Sequence, residues 1–227
     1  MRRGDIIWGT LLVGISGLLV FPATHALFVD TTRAHPYLMG FLKVSILASM
    51  GELLARRITR HNWDFPVGMP WRVVVWGGIG MSFVAVFELF ASGTTALINK
   101  SLLPTLTGET GNRLAQAFWT STLMNILFAP GFMAFHRLTD GFIEEGHGTW
   151  AGIRSATLHA VMQKQDWSGF VGFVLLRTIP LFWIPAHTIT FLLAPEYRVL
   201  MASYLSIALG GILAFARLRT APAQTSA

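Results

Sequence analysis

VVVWGGIGMSFVAVFELFASGTTALI, residues 73–98, decides the fold, because it runs for twenty-six residues with a single ionisable side chain, Glu88. As a helix rising 1.5 Å per residue it covers about 39 Å, more than the roughly 30 Å of bilayer hydrocarbon. Five further apolar stretches flank it, at 6–28, 36–55, 114–135, 169–193 and 199–215. The whole chain has 227 residues, 53% hydrophobic, 12% charged and free of cysteine, with a mean hydropathy of +0.55. That composition excludes a soluble enzyme, a disulfide scaffold and any thiolate chemistry. The expected fold is an all-α polytopic transmembrane bundle of about six spans, forming one integral membrane domain over 1–227 with a short polar tail at 218–227.

The net charge of +6 does not point to nucleic acid, because Lys and Arg stand in short groups between apolar runs. Topology accounts for them. With the N-terminus inside, eleven (Arg2, Arg3, Arg56, Arg57, Arg60, Arg72, Arg137, Arg154, Lys164, Arg217, Arg219) face inward and four (Arg33, Lys100, Arg113, Arg198) outward. Positive charge is retained on the inner side during insertion, so both termini are expected there. The first span has a rival reading as a cleavable signal peptide, with Arg2 and Arg3 before the apolar run and Thr24-His25-Ala26 after it. The length of that run and the charge alternation favour a retained helix. In the long connection 137–168, Trp150, Ile153, Thr157, Leu158, Val161 and Met162 fall at helical spacing, with Arg154, His159, Gln163 and Lys164 on other faces. This predicts one amphipathic helix, lying in the membrane interface or packed on other loops.

Ionisable groups inside lipid are the most informative positions, since each costs about 2.5–3.5 kcal/mol at a helix centre unless it finds a partner or water. Four qualify: Lys43, Glu52, Glu88 and Arg177. Counting along the helices sets Lys43 roughly 10 Å below the outer edge and Glu88 roughly 22 Å above the inner one, nearly one depth. The same count sets Glu52 near Arg177. Two pairs are therefore expected, Lys43 with Glu88 and Glu52 with Arg177, with Asn125 and His187 adding polar edges. Such a seam either lines a path for ions or small polar solutes or fixes helix register without any path. Glycines at 77, 78, 80, 169, 172, 210 and 211 permit close helix contacts. Pro130, Pro180 and Pro185 interrupt the fourth and fifth spans, and the kinks of the fifth are expected to shape a cavity.

Arg56, Arg57, Arg60 and His61 form a juxtamembrane cluster suited to anionic lipid headgroups, although topology alone explains them. No paired-histidine metal motif, P-loop or dinucleotide fingerprint is present in the sequence. Ala91-Ser92-Gly93 reads as small-residue packing rather than a protease nucleophile. Glu88 or Asp140 could serve an acid or base role, without further support. No metal, cofactor or catalytic set is expected.

His35-Pro36, Gly51-Glu52, Phe128-Ala129-Pro130, Asp166-Trp167 and the run from Trp183 through Pro185, His187, Phe191, Pro195 and Tyr197 to Arg198 resemble, in order and spacing across 34–217, the Mpv-seventeen and peroxisomal-membrane-protein family. The resemblance implies a small integral protein of a mitochondrial inner, peroxisomal or bacterial inner membrane. It further implies a non-selective or weakly cation-selective channel, whose partners would be membrane lipids, small solutes or ions and a second copy of the chain. The chain departs from the family where Pro185 is displaced from Trp183, where His187 and Thr190 replace Gln and Asn, and where Met124-Asn125 replaces Asp-Gln. It also lacks the Trp-Asn pair of the last span, and residues 6–28 lie outside the similarity. A channel is the expected function, with a non-conducting scaffold and a lipid-acting enzyme as rivals.

Overall fold

The computed structural model describes residues 3–220, with side chains to 215. Arg2, most of the expected tail, and the side chains of Arg217 and Arg219 lie outside the described residues. Among the described residues every regular element is a helix: α1 Arg3–Val20, α2 Pro22–Ala34, α3 Pro36–Arg60, α4 Met69–Asn99, α5 Gly108–Leu127 and α6 Ala129–Glu145. They continue with α7 Trp150–Ser155, α8 Leu158–Gln163, the single turn α9 Trp167–Gly169, a π-helix Phe170–Trp183, α10 Ile184–Leu192 and α11 Pro195–Thr220. Five are long and apolar enough to cross a membrane, and α5 with α6, bent by 47°, counts as a sixth span. The all-α bundle is thus observed, and its apolar exterior, with Leu89, Leu176 and Leu181 each more than 60% exposed, suits a multi-pass membrane protein.

Proline sets several of the helix starts, since it lacks an N–H that a first turn would leave unpaired anyway. Pro22, Pro36, Pro70, Pro130 and Pro185 all sit at the first or second helical position. Pro22 therefore divides the first apolar stretch into α1 and α2, where the sequence suggested one rod. Pro130 does the same to the fourth, at the bend between α5 and α6. The amphipathic segment is likewise two short helices. Ala156 is extended, and the Thr157 hydroxyl accepts from the Ala160 N–H as a new N-cap, so it starts α8 rather than continuing α7. Val161 of α8 is buried beside Gly141 of α6, whereas Trp150 stays exposed and stacks on Trp71 at 5.4 Å.

The centre of the bundle is α3, packed against α4 on one side and α11 on the other. Gly40 and Gly80 let the backbones of α3 and α4 nearly touch: a Cβ on Gly40 would stand 2.6 Å from the Gly80 carbonyl oxygen, and one on Gly80 would strike the Gly40 oxygen. Gly77 receives the Phe41 ring, while Gly78 and Gly172 face open space. Val44, Ala48, Ile79, Phe87 and Ala202 form one apolar cluster; Leu47, Met50, Leu200 and Ile207 form another, covered by Trp8, Leu12 and Ile15 of α1. Polar clips hold α1 in place. Arg57 grips Asp5 with two hydrogen bonds of 2.7 and 3.1 Å, Trp63 donates to the same carboxylate, and Trp8 donates to the Met50 carbonyl.

Candidate functional site: a polar and aromatic cavity

The π-helix explains how one wall of the site is built. Each of its N–H groups reaches five residues back, as Ile184 does to the Ile179 carbonyl, and Pro180 removes one donor inside it. Phe170, Val174, Thr178 and Trp183 line a common cavity. Their spacing of 4, 4 and 5 keeps one face only if the helix turns about every 4.3 residues, as a widened helix does.

That cavity holds about 580 Å³ and is lined by α4, α5, α6, the π-helix, α10 and α11. Its deep end carries Asn125 and His187, 1% and 8% exposed. The Asn125 amide nitrogen donates to the Ser121 carbonyl at 2.8 Å and meets His187 Nδ1 at 3.1 Å. Trp183 stacks on the His187 ring, and Phe87 meets it edge-on. The Ser121 hydroxyl donates to the Ile184 carbonyl and ties α5 to α10. The two polar residues singled out in separate spans are therefore in contact.

The opposite end is ionic. Arg72, only 4% exposed, binds Glu52 at 2.8 Å, Asp140 at 3.1 Å and Glu144 at 2.7 Å, and its Nε donates to the Val67 carbonyl. His136 Nδ1 lies 3.7 Å from Asp140, and its ring lies 4.1 Å from that of Trp76. His136 Nε2, Trp76 Nε1 and Arg137 Nε are buried with no hydrogen-bond partner. Arg137 uses its outer nitrogen on the Asp166 carbonyl and lies over the Phe170 ring. Glu52 is thus paired, but with Arg72 rather than Arg177. Arg177 is exposed on the outer face of the π-helix, without an ion-pair partner among the described residues. The sequence reading counted Arg72 among the inward-facing charges, just before the apolar run 73–98; the helix begins at Met69 and takes Arg72 into its first turn.

A second cavity of about 240 Å³ lies further along α4. Lys43 and Glu88 both line it without forming an ion pair. Lys43 instead points at the Thr32 hydroxyl and the Glu196 carbonyl, each at 3.4 Å, and lies 5.0 Å from the centre of the Phe28 ring. Glu88 accepts from the Ser92 hydroxyl at 2.7 Å, and Glu196 pairs with Arg33. Phe87, 4% exposed, lines both cavities. In the basic cluster, Arg57 is taken up by Asp5 and Arg56 by the Asp64 carbonyl, while Arg60 is exposed and His61 closes α3 in a left-handed conformation. Among the described residues no group of three His, Cys, Asp or Glu could hold a metal ion. Compared with protein-family models, curated proteins and solved structures, the chain matches none.

Proposed function

We propose that this chain is a small membrane channel or pore-like protein for ions or small polar solutes, closed in the conformation described here. The observation that supports this reading is that two cavities, each carrying charged side chains and displaced from each other along α4, meet on one buried ring, Phe87. The larger has room for about nineteen waters at 30 Å³ each, so its half of the path can be hydrated. The smaller carries Lys43, Glu88, Glu196 and Arg198, a mixed-charge vestibule compatible with weak selectivity. Phe87 would close the path as an apolar constriction that water does not wet. Membership of the Mpv-seventeen and peroxisomal-membrane-protein family, a bacterial inner or organelle membrane, and self-association belong to the same proposal.

A non-conducting scaffold is the second reading, favoured by the satisfied Arg72 network, which locks α3, α4 and α6 together. Purified protein in planar bilayers separates the two. Phe87→Ala should raise unitary conductance or open probability over the wild type, and Glu88→Gln should shift selectivity toward anions. If wild type and Phe87→Ala, both folded, pass no ions and no small polar solutes, the channel reading fails and the scaffold remains.

A further inference from the structure

The larger cavity has a shape as well as a volume. It touches α4 from Trp76 to Phe87 and α11 from Ala202 to Leu213, eleven residue steps on each, so it extends about 16 Å along the bundle. Dividing its 580 Å³ by that length leaves a mean cross-section of about 35 Å², a slot rather than a bowl. Its walls are largely apolar, with Phe83, Phe132 and Leu209 among them. The π-helix packs on α5 and α10, and α11 packs on α3, α4 and α10, so the two walls of the slot are joined through α10.

The ionic end carries an excess of negative charge. Glu52, Asp140 and Glu144 share the single guanidinium of Arg72. Even if Arg137 is counted, which is turned to the Asp166 carbonyl and the Phe170 ring, one negative charge is left over. Two imidazoles also line the cavity. His136 Nδ1 lies 3.7 Å from Asp140, and its Nε2 is buried without a hydrogen-bond partner. His187, more than nine-tenths buried on the cavity wall, accepts from the Asn125 amide at Nδ1, so its proton sits on Nε2, a donor at the far end of the slot from the carboxylates. Aromatic faces between these ends add attraction for a cation.

From this we infer that the slot binds an amphiphilic ammonium compound. Its cationic head lies between Asp140 and Glu144, and its alkyl or aryl body lies along Phe83, Phe132 and Leu209. This assignment rests on the channel reading in that it names the class of solute the path would take, but binding itself requires no flow.

The test uses the full chain in phosphatidylcholine nanodiscs, with radiolabelled octylammonium as the probe and empty discs as background. Saturable binding at one site per chain is expected. Unlabelled octylammonium should compete at least tenfold better than octanol, octanoate or methylammonium. Glu144→Gln, at a side chain two-thirds exposed and safe for folding, should weaken binding several-fold. Leu209→Trp, which fills the slot and leaves every charge in place, should abolish it. Competition by octanoate or octanol as strong as by octylammonium would overturn the assignment. So would wild-type affinity in both variants, or a signal no greater than that of empty discs. Conductance without octylammonium binding would sink the ligand and keep the channel; binding without conductance would do the reverse.

Discussion

Replacing Arg72 by Met removes one guanidinium that holds three carboxylates. Its side chain is 5% exposed, against 22% for Glu52, 26% for Asp140 and 64% for Glu144. Glu52 and Asp140 would be left about three-quarters buried and uncompensated, the situation in which breaking a buried pair costs about 3–5 kcal/mol. Glu144 is mostly in solvent and adds less than about 1 kcal/mol. The loss expected for Arg72→Met is therefore about 3–5 kcal/mol. Glu52→Gln, Asp140→Asn or Glu144→Gln should each change stability by no more than about 1 kcal/mol, because Arg72 keeps two partners and one like-charge repulsion disappears. The triple variant Arg72→Met, Glu52→Gln, Asp140→Asn should recover most of the loss by removing the stranded charges. Reversible unfolding in mixed micelles reads all of these. The reasoning is refuted if Arg72→Met loses under about 1 kcal/mol, or if Glu144→Gln loses as much as Arg72→Met.

Gly80→Ala should destabilise by about 1–3 kcal/mol, because its Cβ meets the Gly40 carbonyl, while Gly78→Ala, facing open space, should stay within about 0.5 kcal/mol in the same assay. Single cysteines at Thr59, Thr107 and Thr225 in this cysteine-free chain should label in, out, in, as the Lys and Arg asymmetry requires; labelling of Thr59 and Thr107 from one side would break that topology. Arg60→Gln should weaken binding to anionic vesicles, whereas Arg57→Gln should chiefly loosen α1 from α3, seen as faster proteolysis near Asp5. A double-mutant cycle on Lys43 and Glu88 should give a coupling below about 0.5 kcal/mol, since each has its own partners; a larger value would mean they pair.

The helices were legible because lipid leaves the backbone no alternative. A run as long and apolar as 73–98 must satisfy its own hydrogen bonds, and helices are the economical way to do so. The breaks were less legible. Pro22 and Pro130 stood in plain view, but proline is tolerated within membrane helices and does not announce whether it bends a span or divides it. Thr157 shows the same difficulty at smaller scale: as a face residue it extended an amphipathic pattern, and as an N-cap it ended one.

The site was legible in depth and not in direction. Their places as polar residues inside apolar spans brought Asn125 and His187 into the seam, and they touch. Counting 1.5 Å per residue levelled Glu52 with Arg177, which do not touch, and the reason lies in the winding of the fifth span. In an α-helix, at 100° per residue, Arg177 would lie about 60° from Val174 and about 20° from Phe170, on the wall of the cavity. The observed cavity residues, thirteen steps in three turns from Phe170 to Trp183, imply about 83° per residue, which carries Arg177 about 120° away from their mean direction. The widened helix thus turns its charge to the outside and gives the wall to Val174 and Thr178. Glu52 is left to the nearest cation of α4, Arg72, which an α-helical count from Met69 places within the first turn and therefore at the level where α3 nears its end. A depth table drawn for uniform helices cannot contain that exchange, because it depends on an angle that only the π-helix sets.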